Sequence, residues 1–100
     1  MSADNGVYIL ITATSNPNIK TYRVLHCQNI EDIYWHEGEK RLVDKIQPAM
    51  LKQKFADAEL FPQETSARHR AFAIAREIHD EGLPLEYGIS EIHYDKPFPT

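Results

Sequence analysis

The sequence contains one cysteine, Cys27, so no disulfide can form within a single chain and no cysteine-rich zinc site can be built from it. Its four glycines are scattered, and it has no glycine-rich phosphate-binding loop, nucleophile elbow or paired-carboxylate arrangement. The longest apolar run, residues 7–11, is far too short to cross a membrane. We therefore expect a protein of a reducing cytoplasm, without a secretion signal or membrane span. No catalytic activity, metal or cofactor is predicted.

The overall composition is that of one ordinary globular domain. Apolar residues make up 42% of the 100 residues and charged residues 26%, with no low-complexity tract. The formal charge is −4, whereas a protein that binds nucleic acid through many phosphates needs a basic excess. We predict a single α+β domain over residues 1–100, with residues 96–100 as a flexible tail.

Hydrophobic periodicity predicts four strands and two main helices. The strands are expected at residues 7–12, 19–25, 58–61 and 85–94, with "SNPN" as the loop of the first hairpin. A helix is expected to begin near Pro48, and a longer one to span residues 65–81 before Gly82, a residue suited to a left-handed cap. A short helical turn is expected at residues 30–35. This β-β-α-α-β-α-β order predicts a small, mainly antiparallel four-stranded sheet with the helices on one face.

Two local patterns leave alternatives open. In the last strand Leu85, Tyr87 and Ile89 alternate, but Ile92 falls on the other parity, which indicates either a bulge near Ser90 or two partly buried faces. Near the start of the chain, the Asn5-Gly6 pair is typical of a tight hairpin turn, yet almost no chain precedes it. We expect it to form a turn that leads into the first strand, with a structural role favoured over a binding role.

Charge is distributed unevenly along the chain. Lys and Arg are absent between Glu77 and Asp95, while the middle of the sequence is basic. An acidic surface of this kind steers association with basic partners, although charged runs often only keep a surface hydrated. The predicted partner-binding residues are these acids together with an aromatic pair that could anchor a partner: Glu77, Asp80, Glu81, Glu86, Glu91, Tyr34 and Trp35.

Two other functions compete with protein binding. A nucleic-acid-binding regulator would use the basic residues Lys40, Arg41, Lys45, Lys52, Lys54, Arg68, Arg70 and Arg76. A metal-assisted enzyme would use His93 and Asp95 among its ligands, although none of the five histidines has a known metal-binding spacing. Self-association through an open sheet edge, giving a homodimer, is a further expectation.

Several blocks of the sequence resemble one family. "MSADNGVYIL", "YRVLHCQNIEDIYW", "AFAIA" and "EYGIS" are similar to segments of small proteins of tailed bacteriophages and prophages that begin Met-Ser-Ala-Asp-Asn-Gly. The region from 36 to 66 does not follow the pattern. The resemblance brings no catalytic residue or ligand, so it implies a context rather than a reaction.

Phage genomes carry many short accessory proteins that bind host machinery. The resemblance therefore implies a phage-encoded protein of the host cytoplasm that acts by binding a host protein or protein complex. The expected form of this activity is inhibition of a host defence or nucleic-acid-processing complex, as anti-CRISPR proteins do.

Overall fold

The computed structural model describes residues 5–27, 48–85 and 88–99. Within them the chain forms four strands and two helices, in the predicted order. The short helical turn expected at residues 30–35 lies outside the described residues. The elements are β1 (Gly6–Ala13), β2 (Lys20–Cys27), α1 (Pro48–Phe55), β3 (Glu59–Phe61), α2 (Glu64–Asp80) and β4 (Ile89–Tyr94).

The first hairpin joins β1 to β2 through the predicted "SNPN" loop. The hydroxyl of Thr14 donates to the carbonyl oxygens of Asn16 and Ile19, at 3.0 and 2.8 Å. Asn16 Oδ1 in turn accepts a hydrogen bond from the Asn18 amide at 2.9 Å. Short polar side chains thus bond the backbone of the turn locally, which fixes the antiparallel register of the two strands.

The sheet is mixed, so the prediction of a mainly antiparallel sheet is wrong in part. Its strand order is β3-β2-β1-β4. The β1–β2 and β2–β3 pairs are antiparallel, but β4 runs parallel to β1. A parallel pair needs a long crossover between its strands, and α2 supplies it by carrying the chain from β3 at one edge to β4 at the other.

The two described helices pack on opposite faces of the sheet, which corrects the prediction that all helices share one face. Leu51 and Phe55 of α1 pack with Tyr8 and Leu10 of β1. Three residues of α2 pack on the other side of the same strand with Val7, Ile9 and Ile11: Ala67, Ala71 and Ile78. The physical reason is the unbroken apolar run of β1, because a strand that is apolar on both sides needs cover on both faces.

Helix α2 is 17 residues long, and each of its ends lies one position before the corresponding end of the predicted range, 65–81. As predicted, Gly82 caps its C-terminal end, and the φ of this residue, 78°, is left-handed. The Gly82 amide donates to the His79 carbonyl at 2.9 Å and the Leu83 amide to the Ile78 carbonyl at 3.2 Å, which together form a Schellman cap. No helix in the described part of the chain is long and apolar enough to span a bilayer.

Strand β4 resolves the parity change in its sequence. Its pairing with β1 runs without interruption from Ile89 to Tyr94, so there is no bulge near Ser90. Ile89 packs in the cluster under α2, whereas Ile92 is buried in the cluster under α1. The second alternative, a strand with both faces partly buried, is therefore confirmed.

The turn expected at the Asn5-Gly6 pair is not seen within the described residues. Gly6 is the first residue of β1 and has no positive φ, so the described residues contain no turn at this position. Asn5 is 6% exposed, and its side chain donates to the Pro84 carbonyl at 2.8 Å and accepts a hydrogen bond from His26. It therefore ties the beginning of β1 to the end of β2 and to the loop after α2.

Two described residues of the predicted tail contact the rest of the protein. The Lys96 carbonyl accepts a hydrogen bond from the Ala13 amide at 3.2 Å. The Phe98 ring packs against the cluster under α1 and lies 3.8 Å from the guanidinium carbon of Arg23. Burial lowers the pKa of Arg23 below its ordinary value. The flexibility of this segment stays a prediction.

Candidate interaction surface

The last turn of α2 and the cap that follows it carry three exposed carboxylates, Glu77, Asp80 and Glu81, which we call the acidic turn. Their i, i+3, i+4 spacing places them on one side of the helix. None of them forms an ion pair with a residue that the structure describes. They also lie where the helix dipole is negative, so the backbone reinforces their field.

The other predicted acids do not join the acidic turn. Glu91 lies on β4, where its carboxylate accepts hydrogen bonds from Arg68 and from His93. Arg68 is nine residues before Glu77 along α2, which corresponds to roughly 14 Å at the rise of an α-helix. Glu86, Tyr34 and Trp35 lie outside the described residues. The structure therefore brings three of the seven predicted partner-binding residues together and separates Glu91 from them.

Arg68 is the centre of an ion-pair network that sequence reasoning missed. Its guanidinium bonds Glu64, one turn earlier on α2, at 2.8 Å, and also bonds Glu91 across the gap to β4. The hydrogen bond to Glu64 and the charge of Glu91 raise the pKa of Arg68 above its ordinary value. The i, i+4 spacing of Glu64 and Arg68 was a usable signal for the first contact. The contact with Glu91 had no such signal, because it depends on the parallel pairing of β4 with β1.

The basic residues of the nucleic-acid alternative are dispersed. Arg68 is neutralised by two carboxylates, and Arg70 Nε lies 3.4 Å from Glu59 Oε1. Arg76 is exposed on α2, whereas Lys52 and Lys54 lie on α1, beyond the opposite face of the sheet. The remaining three, Lys40, Arg41 and Lys45, lie outside the described residues. The described bases thus form no continuous basic surface.

The metal alternative rests on His93 and Asp95. The structure places both at the exposed end of β4, with His93 Nε2 at 3.2 Å from Glu91 Oε1. Residues 5–27, 48–85 and 88–99 contain no group of three or more His, Cys, Asp or Glu side chains placed to hold a metal ion.

An open cleft of about 550 Å³ lies between α2 and the β1/β4 side of the sheet. Arg68 and Phe72 both line it, and Phe72 is 63% exposed. The remaining lining residues are small or apolar: Ile9, Ala75, Leu85, Gly88 and Ile89. Sequence reasoning did not single out Phe72. The available signal was a large aromatic residue on α2 that lies outside the buried set of Ala67, Ala71 and Ile78.

Comparison of the chain with protein-family models, with curated proteins and with solved structures found no match.

Proposed function

We propose that this chain is a small binding protein that uses the acidic turn to engage a positively charged surface of a partner protein. The observation that carries this proposal is the grouping of Glu77, Asp80 and Glu81 without a described counter-ion. Elsewhere on α2, Arg68 and Arg70 are matched by carboxylates. At this end of α2 the three acids and Arg76 have no ion pair with a described residue, so the charge left to act on another molecule is net negative.

The physical effect of such a group is on encounter and orientation. Three like charges at one helix end, together with about half a negative charge from the helix dipole, produce a field that attracts a basic surface. Electrostatic complementarity of this kind raises association rates and selects against acidic partners. A partner rich in Lys and Arg, such as a protein that handles nucleic acid, has the complementary charge.

The biological form of the proposal comes from the sequence resemblance. The similarity to small proteins of tailed phages supports a phage-encoded accessory protein of the host cytoplasm whose partner is a host protein or complex. Inhibition of a host defence or nucleic-acid-processing complex, in the manner of anti-CRISPR proteins, would follow if the acidic turn occupies a site that normally binds phosphates.

The test is affinity capture from a bacterial host lysate with the tagged protein and two charge-reversal variants. Glu77→Lys/Asp80→Lys changes the acidic turn, whereas the control Asp57→Lys/Asp95→Lys makes the same change in net charge at exposed positions elsewhere. We expect the first variant to capture about tenfold less partner, which corresponds to a loss of roughly 1.4 kcal/mol, and the control to match the wild type.

Folding and binding can be separated in this experiment. Lysine at the C-terminal end of a helix interacts favourably with the dipole, so Glu77→Lys/Asp80→Lys is expected to fold at least as stably as the wild type. Equal capture by all three proteins would contradict the proposal. Capture that disappears after nuclease treatment would replace it with the nucleic-acid alternative.

A further inference from the structure

Strand β4 forms one edge of the sheet. The strand order ends with it, and no strand in the described part of the chain pairs with its outer side. It is six residues long and contains no proline or lysine, which are residues that commonly protect an exposed edge. Such an edge presents unpaired main-chain groups to which another extended segment can bond.

The parallel register determines which residues of β4 direct their main chain outward. The Val7 amide donates to the Gly88 carbonyl at 2.9 Å, and Val7 is aligned with Ile89. In a parallel ladder the bonded residues alternate along each strand, so the even-numbered residues of β4 face β1. The N–H and C=O groups of Ile89, Glu91 and His93 therefore point away from the sheet.

The side chains of these outward residues lie on the α2 face. Ile89 packs in the cluster under α2, and Glu91 bonds Arg68 of that helix. His93 is 64% exposed and Glu91 is 30% exposed. The edge therefore offers a carboxylate and an imidazole, 3.2 Å apart within the chain and on the same side, beside main-chain groups that no strand of the described residues pairs.

We propose that β4 pairs antiparallel with β4 of a second copy of this chain, about a twofold axis at Ile92. In this register the outward main-chain groups of Glu91 bond those of His93 in the partner, and the reciprocal pair repeats the contact. Each imidazole N–H then lies across from a carboxylate, at the distance over which cross-strand pairs interact.

The neighbouring registers are disfavoured by charge. An axis at residue 91 would place Glu91 directly opposite its own copy. An axis at residue 93 would place His93 opposite its own copy and Glu91 opposite Asp95 of the other chain. Like charges directly opposite one another destabilise a strand pair. The Glu91–His93 register avoids facing carboxylates and sets an imidazole donor opposite a carboxylate acceptor, and this complementarity is why a second copy is the proposed occupant.

The first experiment measures the dimer by sedimentation over a concentration series. His93→Glu places two carboxylates opposite each other at both ends of the pair, so we expect the dimer dissociation constant to rise at least tenfold. The double variant Glu91→His/His93→Glu exchanges the two side chains and is expected to restore the dimer. His69→Glu makes the same charge change at an exposed position on α2 and is the matched control.

The second experiment removes a main-chain donor. His93→Pro deletes an outward N–H without removing a bond to β1, so the fold, checked by circular dichroism, should persist while the dimer is lost. A peptide with the sequence of residues 88–95 should compete with dimer formation in the wild type.

The expected dimer uses a different surface from the acidic turn, so either proposal can fail alone. A wild type that stays monomeric throughout the concentration series would overturn the β4 pairing. A dimer that survives both His93→Glu and His93→Pro would overturn it equally.

Discussion

Asn5 and Gly6 are neighbours at the beginning of β1, and each is required for a different physical reason. Asn5 bonds two segments that are distant in sequence, the end of β2 and the loop after α2. Gly6 makes room for an aromatic ring, since a Cβ at this position would lie 2.8 Å from the Tyr8 hydroxyl oxygen. In this dipeptide, which is typical of a turn, both residues instead serve tertiary packing.

At the residue scale we predict that Asn5→Ala lowers the free energy of unfolding by about 1–2 kcal/mol, because two side-chain hydrogen bonds are lost at a buried position. Asn18→Ala, an exposed change in the hairpin loop, should change it by less than about 0.5 kcal/mol. Urea unfolding monitored by circular dichroism measures both. Equal losses in the two variants would show that the Asn5 bonds add nothing.

The elements show which local signals are reliable. Pro48 begins α1 and Gly82 caps α2 as the sequence predicts, because both residues restrict the backbone by their own chemistry. The "SNPN" loop is similarly correct, since its polar side chains bond their own backbone. The direction of β4 was not predictable in this way. It depends on where α2 delivers the chain, and no residue of the strand encodes it.

At the element scale we predict that Gly82→Ala lowers the unfolding free energy by about 1 kcal/mol, because a φ of 78° is unfavourable for a residue with a Cβ. The added methyl group would meet no atom within 4 Å, so the cost is conformational. Gly82→Asn should lose less, since asparagine tolerates this region. Thermal unfolding of both variants provides the measurement, and equal losses would contradict the conformational explanation.

The whole molecule is organised around one strand. β1 separates the two clusters of the core and contributes buried side chains to each. That β1 is buried on both faces could be predicted from the sequence, because its continuous apolar run, residues 7–11, is typical of a strand covered on both faces. The candidate site was less predictable. The acidic turn follows from helical spacing, but the separation of Glu91 and the neutralisation of Arg68 depend on contacts between distant segments.

At the scale of the whole molecule we predict that Phe55→Ala lowers the unfolding free energy by about 3–5 kcal/mol. The reason is that Phe55, the last residue of α1, is fully buried between this helix and the sheet. Phe72→Ala removes the same ring from α2, where it is 63% exposed, and should cost less than about 1 kcal/mol. Denaturant titration distinguishes the two. A small loss for Phe55→Ala would mean that the face under α1 contributes little to stability.

The parallel pairing of β4 with β1 also has a kinetic consequence. Val7 and Ile89 are partners in the sheet although almost the whole described chain lies between them. During synthesis, β1 can form its hairpin with β2 early, but its other side has to wait for the strand that comes last in chain order. Until then a very apolar strand has an open edge, and contacts of such long sequence separation form slowly. We therefore expect the nascent chain to be most vulnerable to misassociation just before β4 docks.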